Sequence, residues 1–187
     1  MDFVSKWLGL FFYKFGISID PNQVVIGLDD WLFLGDRYAE TLTTDRRHLT
    51  KEDLSIGQEI GYAANAWSEY LSSKGVKLFK VMIGPNKSSI YPEYLPSWAK
   101  PSTPNATDAL FAGTGTIHYV NLKDALLAAK TRYSTPLYYK TDTHWNQLGA
   151  GIAFQAFAQQ VGPSAPEIQW PPNDAYQLID VIPYTQG

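Results

Sequence analysis

The sequence of 187 residues contains no cysteine. This absence excludes disulfide frameworks, thiolate metal sites and cysteine nucleophiles, and it fits either an oxidising or a reducing compartment. Only three histidines are present, and no group of histidines and carboxylates has the spacing of metal ligands. No glycine-rich loop leads from a strand into a helix with a lysine at its end, so phosphate cradles are missing as well. We therefore predict neither a metal nor a cofactor.

Positive charge and long hydrophobic runs are also scarce. Fifteen lysines and arginines oppose 18 aspartates and glutamates, a net charge of −3, so the chain has no basic field for nucleic acid. The most apolar stretch near the start, residues 7–13, lies between two lysines and is too short to span a bilayer. We predict no nucleic-acid partner and no transmembrane segment within this sequence.

The first residues have an amphipathic pattern. Large apolar side chains recur there at helical spacing: Phe3, Trp7, Leu10 and Phe11. This pattern predicts an N-terminal amphipathic helix over residues 1–20, followed by one domain over residues 21–187. Two interpretations of the helix stay open. It docks on the domain, or it is a juxtamembrane segment whose anchor lies outside this chain.

The hydrophobic pattern along the domain predicts strands that alternate with helices. A hairpin of two short strands comes first, at residues 23–26 and 31–34. A helix capped by Thr50 then runs to Gly75 with an apolar stripe at Ile56, Ile60, Ala63, Ala64, Trp67 and Leu71. The later elements are strands at 76–83 and 116–120, a helix after Asn121, a brief extended piece at 137–139, a helix at 146–161 and a strand-like run at 177–182. Such alternation implies parallel pairing through crossover helices, so we predict an α/β sheet with helices on both faces.

Asp142 and His144 are the residues with the clearest chemical pattern. In an extended backbone, residues two apart point the same way, so the Asp142 carboxylate can reach Nδ1 of His144. Such a contact would leave Nε2 free as a base. A structural alternative is open at this point, and the residues taken by themselves favour it: Asp142 caps the following helix and His144 is simply exposed. We carry both residues forward as candidate catalytic groups.

Two loops at the carboxyl ends of predicted strands, residues 84–93 and 140–146, contain most of the other candidates. Lys87 follows a buried strand and would either pair with a carboxylate or bind a hydroxyl-rich substrate. Several aromatic side chains lie in or beside the same loops, where they would suit stacking on sugar rings, although most aromatic residues belong to cores. The predicted substrate-binding residues are Lys87, Tyr91, Tyr139 and Trp145.

Three segments together resemble a known family, the alginate O-acetyltransferases of the AlgJ/AlgX type. Residues 27–36, GLDDWLFLGD, are similar to the family's G-x-D-G-W-L-F segment, with Asp30 where the family often has glycine. Residues 85–93, PNKSSIYPE, resemble its P-x-K-x-x-x-Y-P-E segment. Residues 139–146, YKTDTHWN, resemble its D-x-H-W block. The three occur in the family's order and span most of the chain.

The resemblance implies an SGNH hydrolase-like, flavodoxin-like α/β fold. It also implies an exported protein of the periplasm or cell envelope that transfers acetyl groups to hydroxyls of an alginate-like exopolysaccharide. Asp142 would orient His144, and His144 would activate a serine that carries the acetyl group. The expected partners are the polysaccharide and an acetyl donor. The resemblance leaves room for a membrane-bound O-acyltransferase as a further partner, and for membrane association through a segment outside this chain.

The nucleophile is the point where this sequence departs from the family. The family's serine lies in a Gly-x-Ser segment well after the D-x-H-W block, whereas Ser164 is the only serine here after His144 and no such segment surrounds it. The resemblance therefore implies a domain incomplete at its C-terminal end, and a chain that is inactive by itself. Ser88 or Ser89 is a substitute in principle. Two alternative functions stay open: a carbohydrate-binding or assembly module, and an acetyl-esterase of the same fold.

Overall fold

The computed structural model describes residues 3–171, so the strand-like run at 177–182 lies outside the described residues. Seven helices and four short strands make up this part of the chain. The helices are α1 (Phe3–Lys14), α2 (Thr41–Arg46), α3 (Lys51–Ser73), α4 (Lys87–Ile90), α5 (Ala109–Ala112), α6 (Lys123–Arg132) and α7 (Gln147–Val161). The strands are β1 (Val24–Ile26), β2 (Leu32–Leu34), β3 (Val81–Ile83) and β4 (Tyr119–Asn121).

Strands β1 and β2 form the antiparallel hairpin that the sequence predicts, with Val25 opposite Phe33. Asp29 and Asp30 turn the chain between them with positive φ angles of 51° and 64°, values that aspartate tolerates better than most residues. Trp31 follows the turn and is almost completely buried. Its ring stacks on Tyr94, with 4.5 Å between ring centroids and 9° between planes. The hairpin is thus fixed by an aromatic core.

The second sheet consists of β3 and β4, which pair in parallel and place Val81 opposite Tyr119. The predicted strand at 76–83 is paired only over its last three residues. The predicted strand at 116–120 begins instead as a 3-10 turn, Thr116–His118, because Gly115 enters it in a left-handed conformation. Met82 is 48% exposed, so β3 is not covered on both faces by the described residues. The parallel pairing itself agrees with the predicted α/β alternation.

Helix α3 begins as the sequence predicts but buries a different face. The Thr50 hydroxyl accepts the Asp53 N–H and the Asp53 carboxylate accepts the Thr50 N–H, a complete capping box. The predicted apolar stripe is largely exposed, including Ile56, Ile60 and Trp67. The buried face instead contains glycines, which lie against the backbone of Ala109 and Thr114: Gly57 and Gly61. Without a Cβ at these positions, α3 approaches the α5 segment more closely than larger side chains permit.

The largest cluster of buried apolar side chains connects the hairpin with the last two helices. Its fully buried members include Leu122, Leu126 and Leu137, together with Val25 and Val120. Helix α6 packs on α7 and contributes Leu126, while the Tyr13 hydroxyl of α1 donates to Asp30 in the hairpin turn. None of the helices within residues 3–171 has both the length and the apolar character that crossing a bilayer requires.

Replacing Gly61 by alanine tests the close approach of α3. The new Cβ would overlap the carbonyl oxygen of Thr114, which is backbone and cannot rotate away. We expect Gly61→Ala to lower the free energy of unfolding by about 1–3 kcal/mol, the usual cost of overpacking. Urea unfolding measures the change.

Gly151→Ala in α7 is the matched control, because a Cβ there meets no atom within 4 Å. Alanine is a better helix former than glycine, so this variant should gain up to about 1 kcal/mol. Equal effects of the two substitutions would contradict the packing argument.

Candidate active site

Asp142 and His144 are in direct contact in the loop between Tyr138 and α7. Nδ1 of His144 lies 2.6 Å from the Asp142 Oδ1, and the backbone N–H of His144 donates to the same oxygen at 2.8 Å. These two hydrogen bonds, with the backbone one dominant, hold the pKa of Asp142 below its ordinary value. An isolated antiparallel bridge between Tyr138 and Trp145 closes the loop around them.

The structure also identifies the residue that caps α7. Asn146 accepts the N–H of Gly149 at 3.0 Å and donates its own side-chain amide to the Pro136 carbonyl at 2.6 Å. The cap is therefore Asn146, and the carboxylate of Asp142 is directed to His144. The side chain of His144 is 80% exposed, so its second ring nitrogen is open to a reactant. A histidine oriented in this way can act as a general base.

A cavity of about 240 Å³ opens beside His144. One part of its wall is aromatic and aliphatic, and another part carries a carboxyl, an amide and hydroxyl groups. The lining residues are Phe33, Leu34, Thr41, Leu42, Asp45, Pro85, Asn86, Lys87, Ser88, Leu95, Ala99, Thr143 and His144. Both the hairpin and the 84–93 loop of the sequence analysis therefore reach the same cavity as the candidate base.

Asp45 is a cavity residue that the sequence analysis missed. It lies in α2 and is only 4% exposed. Ser88 donates to its Oδ2 at 2.5 Å, and the side chain of Asn86 is a second hydrogen-bond partner. Burial raises the pKa of Asp45 against the opposing effect of these hydrogen bonds and of the distant Lys123. The described residues include no ion-pair partner for Asp45; a buried carboxyl of this kind is costly to keep, and such groups concentrate at functional sites.

Lys87 lies inside the protein, 4% exposed. Its ammonium donates to three backbone carbonyls, those of Tyr139 at 3.0 Å, Lys140 at 2.9 Å and Asp142 at 2.6 Å. All three N–H groups are therefore engaged, and none is left for a substrate. Burial lowers the pKa of Lys87 to about 8, although the negative charge of Asp142 opposes this shift.

The three aromatic candidates differ in position. Tyr91 is buried, and its hydroxyl accepts the backbone N–H of Leu137 at 2.9 Å, so it belongs to the core beneath the loop. Tyr139 is 43% exposed beside His144, and its hydroxyl donates to Gln147. Trp145 is half-buried, and its ring packs so close to Gly84 that a Cβ there would lie 3.2 Å away. Of these three, Tyr139 presents the most accessible ring to a ligand.

The serines of the described residues do not complete a triad. Ser88 lines the cavity, but its hydroxyl is engaged with Asp45. Ser164 ends a 3-10 turn, Gly162–Ser164, that follows α7. Within residues 3–171, the side-chain partners seen for the His144 ring are Asp142 and, at 3.5 Å, the hydroxyl of Thr143.

Comparison with known sequences reveals consistent similarities. A family model described as "SGNH hydrolase-like domain, acetyltransferase AlgX" matches residues 24–186. The chain is 28% identical over 166 residues to "Probable alginate O-acetylase AlgJ" of Pseudomonas syringae pv. tomato, and 28% identical over 144 residues to the protein of that name from Pseudomonas putida. The alignments cover 86% and 74% of this chain but only 39% and 34% of the two relatives. The chain therefore spans less than half the length of these curated relatives.

Solved structures show the same relationship. The O-acetyltransferase domain of Pseudomonas putida AlgJ matches with a TM-score of 0.56 and 26% identity, over 80% of this chain and 50% of that one. Bacillus cereus PatB1, solved with a sulfonyl adduct, matches with a TM-score of 0.50 and 19% identity, over 75% and 44%. The second likeness concerns the fold alone. Together with the family model, these matches confirm the predicted SGNH hydrolase-like α/β fold class.

Replacing Asp142 by alanine tests the orientation of the ring. The carboxylate lies closer to Nδ1 than any other described side-chain group, so it should hold the neutral imidazole with its proton on Nδ1. We expect Asp142→Ala to shift the ring toward the Nε2–H tautomer by about threefold or more, as the loss of one hydrogen bond predicts. Long-range ¹H–¹⁵N NMR of His144 measures the ratio. Thr143→Ala is the matched control, because the Thr143 hydroxyl is 3.5 Å from Nδ1; an equal shift in both variants would contradict the assignment.

The lowered pKa of Lys87 predicts a pH dependence of stability. Between about pH 8 and the ordinary lysine value of 10.5, the unfolded chain keeps this proton while the folded chain releases it. Because the unfolded state then binds more protons, Lys87 should make the free energy of unfolding rise with pH across that window. Urea unfolding of wild type and Lys87→Met at several pH values measures this contribution as a difference between the two curves. If the difference in unfolding free energy between the two proteins does not change with pH, the lowered pKa of Lys87 is contradicted.

Proposed function

The chain belongs to the family of SGNH hydrolase-like domains of the AlgX acetyltransferase type, and from that premise we propose that it supplies the acid–histidine part of a polysaccharide O-acetyltransferase. The resemblance seen in the sequence is thereby confirmed at the level of the family. The observation that carries the proposal is the 2.6 Å contact between Asp142 and Nδ1 of His144 beside an open cavity. The proposed acceptor is a hydroxyl group of an exported, alginate-like polysaccharide.

The proposed reaction has two halves, and His144 serves both. In the first, Nε2 takes the proton of a serine hydroxyl as its oxygen attacks the carbonyl carbon of the acetyl donor. The leaving group of the donor departs with that proton, and the acetyl group stays on the serine as an ester. In the second, a sugar hydroxyl attacks the ester and gives its proton to Nε2, which returns it to the departing serine oxygen.

The role of Asp142 is to stabilise the charged ring in both halves. When Nε2 holds a proton, the imidazolium is positive and lies 2.6 Å from the Asp142 carboxylate. The lowered pKa of Asp142 means that this carboxylate is ionised over the working range of a histidine base. As the family resemblance implies, we expect the serine to come from a different segment. It is not among the described residues that contact His144.

The cavity is the proposed site where the acceptor hydroxyl approaches. Asp45 and Ser88 place a carboxyl and a hydroxyl oxygen in its wall, both of which can accept hydrogen bonds from a sugar. Tyr139 offers an exposed ring beside His144. The flat face of such a ring packs well against the C–H groups of a pyranose, because both surfaces are apolar and are removed from water on contact.

The place of action follows from the proposed acceptor. The family resemblance implies that the polymer is modified outside the cytoplasm, so we propose that the protein acts in the periplasm or cell envelope. The acetyl donor and a membrane-bound O-acyltransferase that delivers it are the corresponding partners. The division into an N-terminal helix, residues 1–20, and an α/β domain, residues 21–187, belongs to the same proposal. The contact of Tyr13 with Asp30 favours the helix docked on the domain.

A second candidate is a carbohydrate-binding module in which the Asp142–His144 pair is structural. The exposed ring of Tyr139 favours it, and so does the lack of a serine among the described side-chain contacts of His144. The two functions differ in their dependence on the base. A binding module keeps its glycan affinity when His144 is replaced, whereas an acetyltransferase loses turnover.

The test is acetyl transfer from p-nitrophenyl acetate to a mannuronate oligosaccharide, followed by mass spectrometry. It compares the full gene product with the 187-residue chain alone. We expect the full product to acetylate the oligosaccharide and His144→Ala to lose at least about 100-fold in rate, the usual contribution of a general base. The chain alone should release no acetate above the buffer rate.

His48→Ala is the matched control, since His48 is also exposed and contacts Ser102, and neither residue lines the cavity. Transfer that survives in His144→Ala would contradict the proposal. Release of free acetate without transfer would instead assign the esterase alternative. Glycan binding that is unchanged in His144→Ala, without any transfer by the full product, would favour the binding module.

A further inference from the structure

Lys87 is in an unusual position for a lysine. It is the first residue of α4, which follows β3 after residues 84–86, and its side chain extends into the protein. Burying an ammonium group costs free energy unless the interior replaces the hydrogen bonds of water. Here the interior replaces all three hydrogen bonds of the ammonium, because each of its N–H groups has a carbonyl acceptor between 2.6 and 3.0 Å away.

The three acceptors all belong to the loop that precedes His144. They are the carbonyls of Tyr139, Lys140 and Asp142, three of four consecutive residues. Carbonyls of an irregular loop normally face water, and of these three the Lys140 carbonyl also accepts the backbone N–H of Leu32 in β2 at 2.8 Å. The ammonium gathers the three carbonyls around one point, at the turn of the backbone through Asp142. The N–H of Tyr139 closes the other side of the loop by donating to the His144 carbonyl at 3.2 Å.

Lys87 itself is fixed by the hairpin. Its ammonium lies 5.5 Å from the ring centroid of Trp31 and 5.1 Å from that of Phe33, both within the range of a cation–π contact. The Trp31 ring is held in turn by Tyr91 and Tyr94. A continuous set of contacts thus runs from the aromatic core of the hairpin through Lys87 and the loop carbonyls to Asp142.

Lys87 also acts on Asp142 through its charge. The positive charge of the ammonium is among the causes that lower the pKa of the Asp142 carboxyl, after the hydrogen bonds from His144. The effect is mutual, because Asp142 favours the protonated form of Lys87. The charged groups that influence one another here are therefore Lys87, Asp142 and, when protonated, His144.

From this geometry we propose that Lys87 is a positioning residue, which sets the backbone of the 139–142 loop so that Asp142 meets Nδ1 of His144. It is not a catalytic residue, because its three N–H groups are occupied and it reaches neither His144 nor the open cavity with a free donor. This role replaces the substrate contact expected from the sequence. The inference rests on the proposed function only in treating His144 as the base.

The test measures the tautomer of His144 rather than turnover, so it can be made on the 187-residue chain. Lys87→Met keeps an unbranched side chain that is one heavy atom shorter, and it removes the charge and every donor. We expect the ratio of Nδ1–H to Nε2–H imidazole to fall by about threefold or more when the loop loses its anchor. Long-range ¹H–¹⁵N NMR gives this ratio, and urea unfolding of the same sample shows that the fold is intact.

Lys130→Met is the matched control. Lys130 also donates to a backbone carbonyl, that of Ile90 at 2.6 Å, and lies over an aromatic ring, that of Tyr91 at 4.7 Å. It does not contact the 139–142 loop in any described hydrogen bond. This variant removes the same charge and a comparable carbonyl contact, so we expect it to change stability while leaving the His144 tautomer ratio as in wild type.

The absence of cysteine provides a chemical rescue. Lys87→Cys carries the only thiol of the chain, so 2-bromoethylamine in denaturant converts that residue alone into an aminoethyl analogue of lysine. After refolding, the ammonium should restore the wild-type ratio. Alkylation with 2-bromoethanol gives a neutral side chain of the same length, which should not restore it. This pair of proteins provides the comparison if Lys87→Met does not fold.

The proposal would be overturned by an unchanged tautomer ratio in Lys87→Met, or by equal restoration of the ratio by the charged and the neutral analogue. An equal shift in Lys130→Met would do the same, since it would show a general effect of lost charge. Failure of the proposed function gives a different outcome. In that case the ratio responds to Lys87, but acetyl transfer by the full gene product does not depend on His144.

Discussion

A buried ammonium group has to find its hydrogen-bond acceptors within the protein, and that requirement organises the candidate site. Lys87 meets it with three carbonyls of a single loop and with the faces of two aromatic rings. Without the loop the buried ammonium would lose its three acceptors, and without Lys87 the carbonyls of Tyr139 and Asp142 would lose the donor that they share. The hairpin, α4 and the Asp142–His144 loop are therefore interdependent although they are far apart in the sequence.

The distance in sequence explains which parts of the site could be predicted. Asp142 and His144 are two residues apart, and their contact follows from the geometry of an extended backbone, so a local pattern is sufficient to find it. Lys87 meets its acceptors 52 to 55 residues away, and Ser88 meets Asp45 43 residues away. Such contacts depend on how the elements pack. The sequence therefore identified Lys87 as an important residue but not its partners, and it gave no signal for Asp45.

Helix α3 shows the same limit in the fold. Its start and its length follow from Thr50, Asp53 and the apolar period, all of which are local features. The face by which α3 packs does not follow from local features. The hydrophobic stripe competes there with a row of glycines, which allows two backbones to touch. Among the described residues, α3 packs against the α5 segment at Gly57 and Gly61, while Ile56 and Trp67 stay exposed. Periodicity thus identifies a helix more securely than it identifies its neighbour.

The exposure of His144 has a consequence for selectivity. The side chain of His144 is 80% open to solvent, so as the proposed base it would activate whichever hydroxyl arrives, and water arrives far more often than any sugar. In the proposed reaction, the fate of an acetyl ester beside it is then a kinetic competition between hydrolysis and transfer, decided by how completely the bound acceptor excludes water from the ring. In that proposal, the pair of Asp142 and His144 supplies only the reactivity. Partitioning between the two products belongs to the surfaces that cover the ring once a glycan is bound.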